Sequence, residues 1–134
     1  MGRSTESTIG ANIGAGGGVN VRGAALVTGT SSGIGKVICE HLLHCGYEVL
    51  ALARRPTEIA HPKLHSLCVD LSDRAATAQA ARELAQRFEI GTLVHNAGVI
   101  RPALLADVAL DDLDTLTELH LGSAITLLRR GVRR

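Results

Sequence analysis

The segment from Thr28 to Gly35, Thr-Gly-Thr-Ser-Ser-Gly-Ile-Gly, has the residue types and spacing of a phosphate-binding loop. Gly29 would permit a tight turn, and Gly33 would let the backbone approach a pyrophosphate without a Cβ in the way. Gly35 would let the helix that follows press against a sheet. Amide N–H groups exposed at the start of that helix would then hold the anion. The segment predicts a diphosphate-binding turn, with a ligand-free glycine turn as the alternative.

The loop of nucleoside triphosphatases is another phosphate-binding pattern, and it ends in Gly-Lys, as residues 35–36 do here. That pattern needs a glycine five positions before its second glycine, and a serine or threonine after the lysine. Thr30 and Val37 stand at those two positions, so the sequence excludes this kind of loop. In a diphosphate-binding turn, Ser31 and Ser32 would add hydroxyl donors.

The elements around this loop alternate between strand and helix. Short apolar runs predict four strands, at residues 24–28, 48–53, 65–70 and 92–95, of which the first two are expected to be buried. Apolar residues at helical spacing predict three helices, at residues 34–44, 73–89 and 110–130. Strands that alternate with helices imply fold class α/β, with one parallel sheet and right-handed crossovers.

Each predicted helix carries an apolar face for the sheet. Ser72 is the expected cap of the second helix. The first helix ends at Gly46, and its apolar face consists of Ile34, Val37, Ile38, Leu42 and Leu43. The apolar stripe of the third helix comprises Leu113, Leu116, Leu119 or His120, Ile125 and Leu127.

The composition indicates one globular domain: 46% of the 134 residues are hydrophobic and 20% are charged. Residues 1–22 are rich in glycine and lack hydrophobic periodicity, so we expect a flexible tail followed by a domain at 23–134.

A net charge of +1 offers no field for nucleic acid or an anionic membrane. The absence of an apolar run of membrane-spanning length and of a signal peptide favours the cytoplasm, as do only three cysteines. His41 and Cys45 share a helix face without the further ligands of a zinc site, so no metal is expected.

Two motifs resemble those of the short-chain dehydrogenase/reductase family. The first is Thr-Gly-x-x-x-Gly-x-Gly at 28–35, and the second is Asn96-Ala97-Gly98 after the fourth predicted strand. The resemblance runs from Ala24 to about Leu128. It implies an incomplete Rossmann-like doubly wound parallel sheet of about four strands in the order 3-2-1-4. In the family, Asn-Ala-Gly lines the cofactor and usually follows another asparagine, where this sequence has His95.

The ends of the second and third predicted strands indicate how a nicotinamide dinucleotide would be bound. An NAD site usually has an acidic residue at the end of the second strand, which binds the ribose 2′-hydroxyl. This sequence has Arg54 and Arg55 there, and guanidinium groups suit the 2′-phosphate of NADP. NADP is therefore expected rather than NAD, with Arg54 as the first choice for the contact and Arg55 as the second; two solvated arginines are the alternative. The resemblance also places Asp70 and Leu71 beside the adenine ring, unless Asp70 is only a turn or cap residue.

The family's catalytic residues have no counterparts in this sequence, so no catalytic residue is assigned. In the family, a tyrosine exchanges the substrate proton, a lysine four residues later assists it, and a serine and an asparagine complete the relay. Tyr47 is the only tyrosine here, and Ala51 stands four residues after it. The asparagine position falls at His120, which either replaces it in a relay or has lost the role. The chain resembles the truncated cofactor-binding half of an NADP-dependent oxidoreductase that acts on a carbonyl or alcohol, and we expect no turnover from it alone.

A non-catalytic NADP-binding module, or a partner for another subunit, is the alternative function, because the loop is intact where the tyrosine and lysine are missing. The expected partners are a nicotinamide dinucleotide and, as in family members, a second copy of the chain. A small-molecule substrate is expected only if the missing half is supplied. An incomplete sheet would leave its fourth strand as an exposed edge, and would leave apolar side chains of the last helix uncovered.

Overall fold

The computed structural model describes residues 23–132. The predicted flexible tail at 1–22 lies outside the described residues. Four strands form one parallel sheet in the order β3-β2-β1-β4. They are β1 (Ala24–Thr28), β2 (Val49–Ala53), β3 (Leu64–Cys68) and β4 (Ile90–Val94). The predicted fold class and strand order are confirmed.

Helices cover both faces of this sheet. They are α1 (Gly33–His44), α2 (Arg74–Arg87), α3 (Leu110–Thr117) and α4 (Ser123–Arg130), and a one-turn 3₁₀ helix lies at Leu105–Asp107. A π-helical turn, Glu118–Gly122, joins α3 to α4. The chain is therefore helical almost throughout the predicted range of 110–130, but one wider turn interrupts the α-helix.

The core consists of two layers, because successive side chains of a strand point to opposite faces of the sheet. One layer packs beneath α1 and comprises Ala25, Val27, Val49 and Ala51 with Cys39, Leu42 and Leu43. The other packs beneath α2 and α4 and includes Leu26, Leu50 and Leu52 with Ala80, Ala81, Leu84 and Leu127. Both central strands are buried along their whole length, which explains their uninterrupted apolar sequences.

The apolar face predicted for α1 is wrong in its first turn. Ile34 and Val37 are 72% and 62% exposed, whereas Cys39, which lay outside the predicted face, is fully buried. The buried residues of α1 are Gly35, Cys39, Leu42 and Leu43, which recur at helical spacing and form its inner face. Ile34 and Val37 lie off this face, and both line a shallow depression on the outer side of the helix.

The stripe predicted for the last helix is divided. Leu127 is buried against α2, but Leu113 and Ile125 are exposed. A π turn holds more residues than an α turn and so rotates the two halves of the stripe relative to each other. This rotation separates Leu113 from Leu127. Ile125 is exposed for a different reason: it lies two positions from Leu127 in α4 and therefore on another side of the same helix.

The cap predicted for α2 is also wrong by one residue. Asp73 is the N-cap, and its carboxylate accepts a hydrogen bond from the Ala76 amide at 3.0 Å. Ser72 instead donates to Asp70. Ser and Asp are both common N-cap residues, so the sequence alone does not show at which of the two positions the helix begins.

The outer edge of β4 is nearly unpaired within residues 23–132. β4 pairs with β1 on one side, and on the other a single parallel bridge joins Ile90 to Val132. The same part of the chain contains no helix that combines the length and the apolar character needed to cross a bilayer.

Candidate functional site

A cleft of about 470 Å³ opens at the carboxyl ends of the strands, where ligands bind in open parallel sheets. It brings together ten of the thirteen residues singled out from the sequence: Gly29, Ser31, Ser32, Arg54, Arg55, Asp70, Leu71, Asn96, Ala97 and Gly98. The other three, Gly33, Ile34 and Gly35, do not line it. Gly33 and Ile34 line a shallow depression on the outer side of α1.

The two glycines at the ends of the loop are required by close backbone contacts. Gly29 has φ +71°, and a Cβ there would lie 2.8 Å from the Ala97 Cα. At Gly35 a Cβ would lie 2.0 Å from the Gly29 carbonyl oxygen. The chain thus turns tightly after β1, and α1 starts directly against that turn. Gly35 presses on the loop and not on the sheet itself.

The N-terminus of α1 has no side-chain cap, whereas that of α2 has one, and an uncapped N-terminus is suited to anion binding. Ser32 is the N-cap of α1, but its side chain makes no capping hydrogen bond, and the first turn contains no acidic residue. The N-terminus of α2, by contrast, is closed by the carboxylate of Asp73. Amide groups at an uncapped helix start, together with the positive end of the helix dipole, attract an anion. Ser31 and Ser32 place that start at the cleft.

Two positively charged residues also line the cleft. Arg54 and Arg55 directly follow the buried end of β2 and are exposed. Asp70 accepts hydrogen bonds from the Ser72 hydroxyl at 2.7 Å and from the Ser72 amide at 3.0 Å. These bonds lower the pKa of Asp70 below its ordinary value, and the charge of Arg54 contributes in the same direction. Asp70 is thus a turn residue, and its carboxylate stays ionised beside the arginine.

The Thr28 hydroxyl joins the ends of β1 and β4. It accepts hydrogen bonds from the Asn96 and Ala97 amides, each at 3.0 Å, and lies 3.0 Å from His95 Nδ1. With both lone pairs in use, the hydroxyl donates its proton to Nδ1, which places the imidazole proton on Nε2. His95 Nε2 then donates to the carbonyl of His120 at 3.1 Å. The Asn96 side-chain amide donates to the Gly29 carbonyl at 3.1 Å, so this segment also holds the loop.

The His120 imidazole lies against the wall of the cleft and not in its interior. A Cβ on Gly98 would lie 2.5 Å from His120 Cε1, so the ring packs directly on that glycine. Its Nε2 is 2.9 Å from the Val99 carbonyl oxygen and 3.2 Å from the Val99 amide. Within residues 23–132, the imidazole therefore supports the segment after β4.

Seven further lining residues were not predicted as site residues from the sequence. They are Ala53, Val69, Ser72, Val99, Arg101, Thr115 and Leu119. Arg101 pairs with Asp112, with 3.4 Å between Nε and Oδ1, and so links the segment after β4 to α3. Thr115 and Leu119 reach the cleft because α3 and the π turn return across it, a contact between residues far apart in sequence. Only the Asp-x-Ser spacing of residues 70–72 offered a local clue, because Asp side chains commonly bond two residues on.

The chain is also similar to known proteins over most of its length. The family model for short chain dehydrogenase matches residues 23–134. The chain is similar to benzil reductase ((S)-benzoin forming) of Bacillus subtilis, with 31% identity over 81% of this chain and 47% of that protein. It is similar to a probable NADP-dependent dehydrogenase of Haemophilus influenzae, with 33% identity over 78% of this chain and 45% of that protein.

A solved structure shows the same relation. The metagenomic short-chain oxidoreductase in complex with NADP superimposes with a TM-score of 0.73 and 29% identity, over 81% of this chain and 54% of that one. The chain spans about half the length of the curated relatives that it matches.

Proposed function

The chain belongs to the short-chain dehydrogenase family, and we propose that its cleft binds a nicotinamide dinucleotide, with a preference for NADP(H). One observation carries the proposal: a single cleft joins an uncapped helix start to two arginines, and β2 ends there without a carboxylate. A diphosphate and a second phosphate on the same molecule would satisfy both sides of such a cleft.

The glycine turn is assigned to the diphosphate. Gly29 and Gly35 hold the backbone so tightly that a Cβ at either position would collide with main-chain atoms. Gly33 has open space where its Cβ would be, so an anion can approach its backbone. The binding set in this turn is Gly29, Ser31, Ser32, Gly33, Ile34 and Gly35.

The remaining sequence-derived residues are assigned to the adenosine half of the ligand. Arg54, with Arg55 beside it, binds the ribose 2′-phosphate, while Asp70 and Leu71 border the adenine. Asn96, Ala97 and Gly98 form the wall next to the turn. The names of the Haemophilus relative and of the metagenomic complex, which mention NADP, support this assignment. NAD is the less favoured ligand, because no carboxylate ends β2 to bind a 2′-hydroxyl.

The whole protein to which this fold belongs is proposed to interconvert a carbonyl compound and an alcohol. A bound nicotinamide would supply or accept the hydride, and the chain's own residues would hold and orient it. Tyr47 cannot exchange the substrate proton, because it precedes β2 and therefore lies at the amino end of the sheet, opposite the cleft. We therefore expect the purified chain to bind the dinucleotide without turning over a substrate.

A non-catalytic NADP-binding module, or a partner subunit, is the second candidate function. The nearly unpaired edge of β4 within residues 23–132 favours it, because such an edge can accept another strand. Two measurements separate the candidates. NADPH-linked reduction of a carbonyl by the purified chain would contradict both the module and the expected lack of turnover. A Tyr-x-x-x-Lys encoded beyond codon 134, in any frame, would favour the oxidoreductase.

The cofactor preference is tested by fluorescence titration of NADPH and NADH against the unmodified chain and Arg54→Asp. We expect NADPH to bind more tightly, and the substitution to weaken NADPH by about 10- to 100-fold, the value of one charge-assisted hydrogen bond. Arg82→Asp, on the exposed side of α2, makes the same charge change away from the cleft and should alter neither affinity. Equal affinity of the unmodified chain for the two dinucleotides would contradict the preference for NADP(H).

A further inference from the structure

A buried pair of hydroxyl groups connects the two phosphate-binding parts of the cleft. The Oγ1 atoms of Thr30 and Thr57 lie 2.5 Å apart, within hydrogen-bonding distance. Thr30 is fully buried and Thr57 is 6% exposed, so the two groups meet away from water. Thr30 follows Gly29 in the loop, and Thr57 follows Arg54-Arg55-Pro56. The contact thus joins the loop directly to the segment at residues 54–57, called the arginine turn below.

The arginine turn is also attached to the edge of the sheet. The Thr57 amide donates to the Ser66 hydroxyl of β3 at 3.0 Å, and the Thr57 carbonyl accepts from the Ile59 amide at 3.1 Å. Residues 54–63 contain no regular helix or strand. The backbone just after the arginines is therefore not held by the hydrogen bonds of a helix or a sheet. It is held by the side-chain and turn hydrogen bonds of Thr57.

The distance between the loop and the arginines matters because the ligand has a fixed span. In NADP the diphosphate and the 2′-phosphate are attached to the same ribose, so their separation varies only within a narrow range. A guanidinium contributes fully only when its paired N–H groups meet phosphate oxygens in plane. Since the side chains of Arg54 and Arg55 are long and exposed, the position of their backbone determines how often that geometry is reached.

We propose that the Thr30–Thr57 hydroxyl pair is a specificity-determining positioning pair, which sets the distance between the diphosphate turn and the 2′-phosphate-binding arginines. Neither threonine lines the cleft. The pair acts mainly on the 2′-phosphate contact, because the loop is also held by the Asn96 side chain and by the close packing of Gly29 and Gly35. This inference rests on the proposed binding of NADP(H).

The direct test compares two ligands that differ only in the 2′-phosphate, adenosine 2′,5′-bisphosphate and adenosine 5′-monophosphate. Calorimetry on the full chain gives the ratio of their affinities. Thr57→Val should lower this ratio by about tenfold, roughly the value of one displaced charge-assisted contact. Thr57→Ser, which retains the hydroxyl, should restore it to within about twofold of the unmodified value.

Two further variants separate positioning from a loss of stability. Thr57→Val alone leaves the Thr30 hydroxyl buried without its partner, which costs stability, whereas Thr30→Val/Thr57→Val leaves no such group. If positioning matters, the double variant folds better than the single one, as judged by its unfolding midpoint, yet shows the same low ratio.

Thr77→Val is the matched control, because its buried hydroxyl bonds to the Asp73 carbonyl at 2.8 Å and contacts the Leu71 carbonyl at 3.4 Å, remote from the arginine turn. It should lower the unfolding midpoint and leave the ratio unchanged.

The outcomes distinguish this inference from the proposed function. If Arg54→Asp abolishes the ratio while Thr57→Val and the double variant keep it within twofold, the positioning role is overturned and the binding of NADP(H) stands. If the unmodified chain binds both adenosine ligands equally, the 2′-phosphate contact is absent and both proposals fail. A ratio lowered equally by Thr77→Val would show general loosening of the fold, and would also overturn the positioning role.

Discussion

Gly35 is the residue whose replacement should disturb the site most. In Gly35→Ala the new Cβ would lie 2.0 Å from the Gly29 carbonyl oxygen, so either the loop or the start of α1 must move. Overpacking against backbone should cost about 2–4 kcal/mol of unfolding free energy and abolish dinucleotide binding. Denaturant unfolding and NADPH titration measure the two effects. Lys36→Ala, one position later and half-buried, should change both only slightly; equal effects of the two variants would contradict the packing argument.

Cys39 should make the protein less stable at alkaline pH. Burial raises the pKa of its thiol from 9.0 to about 11, with a further contribution from the charge of Glu40. The unfolded chain therefore loses this proton at lower pH than the folded chain. The corresponding stability is complete below pH 9 and is lost as the pH rises to 11, by about 2–3 kcal/mol.

The measurement is the unfolding free energy at pH 8, 9, 10 and 11. Cys39→Ala should be less stable at pH 8 but should show a shallower decline. Cys68→Ala, at an exposed cysteine, should decline as the unmodified chain does. An unchanged slope in Cys39→Ala would contradict the assignment.

The residues predicted from the sequence are those whose role is visible within a short stretch. Gly29 and Gly35 belong to a turn between a strand and a helix, and Asn96 belongs to a motif at a strand end; all three adjoin the cleft or its loop. Thr30 and Thr57 were not identified, because their contact joins positions 27 residues apart and neither residue type alone indicates it. A single sequence gives no signal for such a pair.

Between elements, the Thr28 hydroxyl is the main polar connection. It joins β1 to the segment after β4, and through His95 to the π turn. Thr28→Val should cost about 2–4 kcal/mol, because the Asn96 and Ala97 amides lose their acceptor together. Thr28→Ser keeps the hydroxyl and should cost less than half as much. A loss in Thr28→Ser as large as that in Thr28→Val, measured by urea unfolding, would contradict this account, because Ser keeps the hydroxyl and lacks only the methyl group.

The order of the elements could be predicted from the sequence, but the side of each helix that faces the core could not. Buried parallel strands have apolar sequences that are short and unbroken, so β1 and β2 were recognised within one residue of their bounds. The inner face of a helix is set by tertiary contacts, and α1 turns Gly35 and Cys39 inward, with Ile34 and Val37 outward. The π turn has no sequence signature that differs from an α-helix, so the shift between Leu113 and Leu127 was invisible.

For the molecule as a whole, the surface around β4 should promote self-association. Beyond Ile90 this edge has no strand partner within residues 23–132, and Leu121, Ile125 and Leu128 are exposed on the π turn and α4. Sedimentation velocity over a range of concentrations should show oligomers. The double variant Ile125→Lys/Leu128→Lys should reduce them strongly.

The control for this prediction is Val37→Lys, which removes an exposed apolar residue from α1 on the other face of the sheet. It should leave association unchanged. A chain that sediments as a monomer at every concentration, or that loses association equally in Val37→Lys, would contradict a specific role for the β4 side.

The amide NMR spectrum of the ¹⁵N-labelled full chain, recorded with increasing NADPH, examines the bound position of the dinucleotide residue by residue. Shifts should concentrate in Gly29–Lys36 and Arg54–Thr57, and NADH should shift the first segment more than the second. Shifts confined to the amino end of the sheet, around Tyr47 and Lys63, or no shifts at saturating NADPH, would contradict the account.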